Sequence, residues 1–358
     1  MRFTINNEKL ATALSTVAKT ISTRPTQPGY MAIRVSVNDE GQLTLKGTDG
    51  ESTTVFKCTV TDFEAGEIAV AGPLFADIVK DLPRGDVNFT LEGTQVLLTA
   101  KSGKYKISTI SELPTLVDPE LTSGVTLNGA AFSAAIGSVV TLTRGAEGVF
   151  NAVKLEKNEN KVRLVSTDRY RLGLAEVAAD NTEAWELDTL IPGKIIGDLA
   201  KTFSKSTAVT LSNQEGSFTI SDGEVTLVTR VSSGTFPKYQ TLLEKERLGS
   251  LGVKVEDLLS TVKRVSKFSS NSATPTSVKL AFADGKLTVT SGSTLDALEV
   301  LDYSGVISPI EIFANASYLI DALNGIASEN AQIAPTGNTS ALFIEGVYKH
   351  LVMPTKAQ

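Results

Sequence analysis

The chain has 358 residues, 41% apolar and 21% charged, with a net charge of −6, which describes a globular protein of two or three domains. A single cysteine, Cys58, and a single histidine, His350, exclude an internal disulfide framework and a Cys/His zinc site. No apolar run is long enough to span a membrane, and Met1-Arg2-Phe3-Thr4-Ile5 alternates like a strand instead of opening a signal peptide, so a cytoplasmic protein with no membrane partner is expected. His350 lies in an apolar strand pattern and reads as a strand residue, not a base. Cys58, between Lys57 and Thr59 in an alternating run, reads as a small core residue.

In chain order the pattern is one unit met three times, with a period of about 120 residues. The first copy opens with a helix whose Leu10, Leu14, Val17 and Ile21 share one face, with Asn7 as the expected cap. A hairpin follows, Leu43 to Asp49 and Ser52 to Val60, then a helix after Pro73 carrying Leu74-Phe75-Ala76-Asp77-Ile78, then strands ending near Leu113-Pro114. The second copy has Asn128 before Phe132, Ile136 and Val139, a hairpin from Val162 to Asp168 and Arg171 to Val177, and Ile195-Ile196-Gly197-Asp198-Leu199 after Pro192. It closes at Phe236-Pro237. The third has Val255, Leu258, Leu259, Val262 and Val265 on a helix, a hairpin from Leu287 to Ser291 and Leu295 to Leu301, and Asn315 before Tyr318-Leu319-Ile320-Asp321-Ala322. It closes at Met353-Pro354. Proline or asparagine suits the first turn of each second helix.

The unit implies an α+β domain, two helices packed on an antiparallel sheet, with boundaries expected at 1–122, 123–244 and 245–358. Exposed sheet edges invite pairing between copies, and three tandem copies leave two terminal edges. One is expected around Lys101 to Ile110 and the other around Leu295 to Leu301. Joining them head to tail gives a homodimeric ring of pseudo-six-fold symmetry. The helical stretches are slightly basic while the rest of the chain is acidic, as a lining facing phosphates would be. Lys80, Arg84, Lys194, Lys201, Lys205, Lys263, Arg264 and Lys267 are the candidate contacts, and a solvated helix face is the alternative for each. Aromatic and basic residues are not interleaved, which argues against a single-strand stacking platform.

Several pieces, in this order and spacing, resemble the bacterial replicative sliding clamp, the beta subunit of DNA polymerase III. They are Arg24-Pro25-Thr26 with Pro28, Ser166-Thr167-Asp168-Arg169-Tyr170-Arg171-Leu172, Phe236-Pro237-Lys238-Tyr239, Tyr303-Ser304-Gly305, Tyr318 to Leu323 and Leu351-Val352-Met353-Pro354. The resemblance covers nearly the whole chain. It implies three similar domains, a dimeric ring around duplex DNA, no catalysis and no cofactor. It further implies tethering of replicative and repair polymerases, and a pocket between the second and third domains that captures short linear motifs of clamp loader, polymerases and repair proteins. The matching pocket positions are Phe150, Thr167, Arg171, Leu172, Pro237, Thr241, Leu242, Asn315, Tyr318, Leu351, Val352, Met353, Pro354 and Thr355. Arg24 matches a DNA-contacting position and Arg144 lies where a polar DNA contact is expected.

Departures from the family pattern fall at the pocket and, with Gly148-Val149, in a loop that contacts DNA in the family. Arg169-Tyr170 stands where the family usually has Gly-His, Gly148-Val149 replaces an aromatic pair, and Thr355-Lys356-Ala357-Gln358 replaces a Met-Arg-Leu ending. They suit a diverged or phage-encoded member with altered partner preference. A hydrolase built on Asp49, Asp77 or Asp168 is the alternative from another class, although recurrence of these carboxylates at turns and helices in each copy favours a structural role.

Overall fold

The period-two runs become antiparallel strands and the 3.6-period runs become helices in the computed structural model, which describes residues 1–22, 24, 27–101, 103–114, 124–180, 185–214, 216–269, 277–291 and 296–356. By contacts the chain divides into two units. One holds Met1–Ala130, Ala179–Trp185 and Lys201–Val231, and the other holds Ala131–Ala178, Glu186–Ala200 and Ser232–Gln358. Pro25, Thr26, Leu295 and the expected boundary at 122/123 lie outside the described residues.

In the first unit, helices α1 (Asn7–Val17) and α2 (Gly72–Asp81) bury Leu10, Leu14 and Val17 from one and Phe75 and Val79 from the other. One sheet runs in the order Thr61–Glu64, Arg2–Asn6, Asp86–Glu92, Gln95–Ala100, Gly103–Ser108. In the second sheet, Val225 to Thr229 pairs antiparallel with Phe56 to Ser52, so a closing strand of the second repeat continues the sheet of the first. A 2.8 Å bond between the Ser52 and Thr229 hydroxyls fixes that register inside the sheet. Cys58 is buried in the Ser52–Thr59 strand, and burial pushes its thiol up from its ordinary range.

The cap of α1 differs from the expectation. Asn6, not Asn7, is the N-cap, and its Oδ1 accepts from the Glu8 and Lys9 N–H groups. Asn7 is the first helical residue and is buried, its Nδ2 donating to the Leu82 carbonyl at 2.8 Å. Two adjacent asparagines make the position ambiguous from sequence, and the extended backbone of the Arg2–Asn6 strand decides it.

The second unit carries most of α3 (Gly129–Val139), together with α4 (Gly193–Ala200), the short α5 (Gln240–Leu243), α6 (Val255–Val265) and α7 (Ala316–Gly325). Leu258, Val262 and Val265 of α6 and Leu319 and Leu323 of α7 share one core with Leu280, Phe282 and Val289 of the third repeat's sheet. That four-stranded sheet runs Leu298–Asp302, Lys286–Ser291, Ser277–Ala283, Ile310–Asn315. A larger sheet runs Asp188–Pro192, Ala152–Asn158, Lys161–Thr167, Arg171–Asp180, Lys349–Val352, Leu342–Glu345, Asn330–Pro335, Leu251–Lys254. Its centre is the pairing of the second repeat's hairpin with the last strand of the chain. Among the described residues no helix is long and apolar enough to cross a membrane.

Asn6→Ala is expected to destabilise the chain by about 1 kcal/mol through loss of the cap, and Asn7→Ala by about 1–3 kcal/mol because the Leu82 carbonyl is left unpaired and buried. Urea unfolding of the two variants measures both, and no loss at Asn6 would contradict its assignment as the cap.

Candidate functional site

The junction strand fixes the candidate pocket. Arg171, Leu172, Gly173 and Leu174 pair with Val352, Leu351, His350 and Lys349. The chain then turns across the hairpin, with the Met353 N–H donating to the Tyr170 carbonyl and the Thr355 N–H to the Phe313 carbonyl, both at 2.8 Å. Backbone bonds at both ends hold Met353, Pro354 and Thr355 against the second and third repeats.

The floor is apolar and closed. Leu172 and Leu351, each 2% exposed, pack with Val165, Leu174, Phe236, Tyr239 and Phe343, while Val149, Leu242, Leu243 and Met353 lie half-buried against them. Val352 belongs to the core of the third repeat. Of the residues expected to form an open apolar cleft, Leu172, Leu351 and Val352 are therefore supporting core. The accessible part comprises Phe150, Leu242, Tyr318, Met353 and Pro354, half-buried, with Arg169, Tyr170, Pro237 and Thr241 exposed. Short apolar strands do not reveal from sequence which residues stop at the surface.

The rim is built on one tight turn. The Thr167 hydroxyl donates to the Arg171 carbonyl at 2.7 Å and accepts from the Arg169 N–H at 3.2 Å. Asp168 Oδ1 accepts from the Tyr170 and Arg171 N–H groups, both at 3.0 Å. These bonds hold Arg169 at φ +78°, a left-handed backbone that favours glycine. Asp49 has the same task, accepting from the Glu51 and Ser52 N–H groups, so it and Asp168 are turn residues and not a hydrolytic pair. Asp77 is exposed on α2.

Arg171 ties the turn to α7. Its Nε donates to Asp168 Oδ2 at 2.8 Å and its Nη1 to Asp321 Oδ2 at 2.5 Å, and its guanidinium lies 4.4 Å from the centre of the Tyr318 ring. Asn315 caps α7 through the Ser317 and Tyr318 N–H groups, which aims Tyr318 at that guanidinium. Tyr170, 61% exposed, stacks on Tyr318 with centroids 6.5 Å apart, and Arg169 lies 4.7 Å over the Phe150 ring. In the sequence Asp321 stands out only as a repeat marker. Its partner Arg171 is 150 positions away, and no local signal links the two.

Two buried polar groups brace the floor. The Tyr239 hydroxyl donates to Glu156, and burial with that carboxylate pushes its pKa far up, while Arg163 pairs with Glu176 at 2.7 Å and Glu156 at 3.4 Å. His350, 2% exposed, faces Ser138 Oγ across 3.2 Å. A Cβ on Gly325 would lie 2.4 Å from His350 Nε2, so this end of α7 approaches the imidazole only as glycine. Burial, then the nearby Arg171 charge, lowers the His350 pKa to about 4.

All ten candidate DNA contacts are exposed. In the first unit are Arg24, Lys80, Arg84, Lys201 and Lys205, and in the second Arg144, Lys194, Lys263, Arg264 and Lys267. Some are partly neutralised, as Arg84 pairs with Glu8 at 3.0 Å, Lys194 with Asp198 at 3.1 Å and Arg264 with Glu299 at 2.6 Å. Arg144 and Lys194 share a recess of about 450 Å³ with Asn151 and Gly193.

Sequence models of the DNA polymerase III beta subunit match the chain three times, the N-terminal domain at 1–116, the central domain at 126–238 and the C-terminal domain at 240–356. The chain belongs to the bacterial beta sliding clamp family. It is 28% identical to the beta sliding clamp of Streptomyces coelicolor over 99% of both chains. The fold matches that of a DnaN sliding clamp from Pseudomonas aeruginosa bound to griselimycin, with a TM-score of 0.91 at 24% identity over 99% of both chains. It equally matches the clamp from Bacillus subtilis, with a TM-score of 0.91 at 20% identity over 100% of both. The chain is thus three tandem clamp domains of mixed helix and sheet, with a sliding-clamp role in DNA replication and no reaction of its own.

Because the His350 value lies below its unfolded value near 6.5, the unfolded clamp binds the extra proton, and stability is full above about pH 6.5 and falls as pH drops toward 4. Between pH 7 and 5 this amounts to about 2 kcal/mol. Urea unfolding at both values is expected to show that loss in the native clamp and not in His350→Gln, and equal pH dependence in the two contradicts it. Arg169→Gly is expected to be more stable than Arg169→Ala by about 1 kcal/mol, since both remove the contact with Phe150 and only glycine relieves the left-handed backbone. Equal melting of the two would mean that the turn relaxes.

Proposed function

We propose that this clamp works as a head-to-tail homodimeric ring that encircles duplex DNA without sequence preference in the cytoplasm, with domains at 1–122, 123–244 and 245–358. The observation that carries the ring is a pair of sheet edges. Gly103–Ser108 and Leu298–Asp302 each end their sheet with one side unpaired by any strand among the described residues. The second edge exposes Leu298 and Val300, 57% and 51%, which a soluble edge strand ordinarily avoids. The two strands carry opposite charge, Lys104 and Lys106 on the first and Glu299 and Asp302 on the second, and of these Lys106, Glu299 and Asp302 also pair within the chain, with Glu92, Arg264 and Lys286. Antiparallel pairing of these edges between two protomers closes the ring at both seams.

Contact with DNA is through phosphates, using Arg24, Lys80, Arg84, Arg144, Lys194, Lys201, Lys205, Lys263, Arg264 and Lys267. Partial neutralisation by Glu8, Asp198 and Glu299 keeps that contact weak, which suits sliding. The accessible rim of Phe150, Tyr170, Tyr318, Leu242, Met353 and Pro354 captures short linear motifs of the clamp loader, polymerases and repair proteins. The flexible thioether of Met353 suits a site that accepts several related side chains.

After loading, the clamp is expected to stay on closed circular DNA and to run off the same DNA once it is cut. Equal retention on both forms would sink the ring. Met353→Ala is expected to weaken capture of a polymerase motif peptide by about 1–3 kcal/mol while the clamp still folds. Leu172→Ala, in the floor, should in addition lose about 2–5 kcal/mol of stability. Loss of the dimer, with peptide capture intact, would show that the motif site lies elsewhere.

A further inference from the structure

The two arginines of the rim turn are in opposite electrostatic situations. Arg171 is half-buried between Asp168 and Asp321, so the cluster beside Tyr318 carries one carboxylate in excess. Arg169 is exposed, rests on the face of Phe150, and has no ion pair among the described residues. Its backbone is held in a left-handed conformation that costs a non-glycine residue about 1–2 kcal/mol. A strained backbone carrying an uncompensated charge at a recognition rim points to a use for that charge.

We propose that Arg169 makes the pocket selective for partner segments that place an acidic side chain beside Phe150, an inference that rests on the motif-capture reading above. Contact with the Phe150 ring holds the guanidinium in place, and because the side chain is exposed its N–H groups remain available to a carboxylate. The surplus carboxylate beside Tyr318 repels a second acid there, so the rim reads charge with a direction: acidic at the Phe150 end, neutral or basic at the Tyr318 end.

Random dodecapeptides displayed on phage and panned against the full-length clamp test this. Binders are expected to carry Asp or Glu at one fixed position, and the pool selected on Arg169→Gly is expected to lack it. That variant places glycine where the backbone already favours it, so it folds. The strongest acidic binder, synthesised with its Glu and with Gln in its place, is expected to lose about tenfold in affinity for the native clamp on that change and less than twofold for Arg169→Gly. Peptides weakened by Met353→Ala but indifferent to the Glu-to-Gln change would overturn the selectivity and leave the pocket standing. Peptides unaffected by Met353→Ala would overturn the pocket itself and the selectivity with it.

Discussion

Every strand at the margin of a sheet leaves a row of N–H and C=O groups that must find partners, and this architecture depends on where those rows are satisfied. Val225 to Thr229 finds its partner on Ser52 to Phe56 of the first repeat, and Lys349 to Val352 finds its partner on Arg171 to Leu174 of the second. Other margins are blunted. Thr61–Glu64 is four residues long, wholly exposed and interrupted by a register shift, with Asp62 at φ +46°. Ser304 bridges to Gly252 at the Leu251–Lys254 margin, and Thr355 bonds to Phe313 at the Ile310–Asn315 margin. Gly103–Ser108 and Leu298–Asp302 are bridged only beyond their C-terminal ends, at Thr109 and Ser304, and along their own length no strand pairs their outer side among the described residues; they are the edges from which a ring would close.

The proposed motif site is a consequence of the same pairing. Joining the second repeat's hairpin to the last strand brings Arg171 within reach of Asp321 on α7 and lays Met353 over the Leu172 floor. It also encloses His350, whose imidazole fits because Gly173 and Gly325 carry no side chain. The junction is therefore buried below and open above, with Tyr170 and Arg169 exposed and Met353 half-buried. Arg169 and Tyr170 can vary without touching the strand pairing beneath.

The triplicate of helix, hairpin, helix and strands was legible because its apolar periods, turn residues and helix-starting Pro73, Pro192 and Asn315 recur in phase. The edges expected around Lys101 to Ile110 and Leu295 to Leu301 fall close to Gly103–Ser108 and Leu298–Asp302, because each is an alternating run bounded by turn residues. Burial was not. Leu172, Leu351 and Val352 read as cleft residues but are core, because a period-two pattern gives a face and not its depth. Asn6 and Asn7 were confused because either can cap. Arg171–Asp321, Tyr239–Glu156 and the stacking of Arg169 on Phe150 join positions remote in sequence, and only the register of the folded strands brings them together.

The central claim is that two uncovered edges in each chain meet in a second copy. Sedimentation equilibrium of the purified clamp at micromolar concentration tests it most directly. The account predicts a mass twice the 37.9 kDa of one chain, reduced toward that of a single chain by a charged substitution such as Val300→Lys on the exposed edge. A native clamp sedimenting at 37.9 kDa would contradict it.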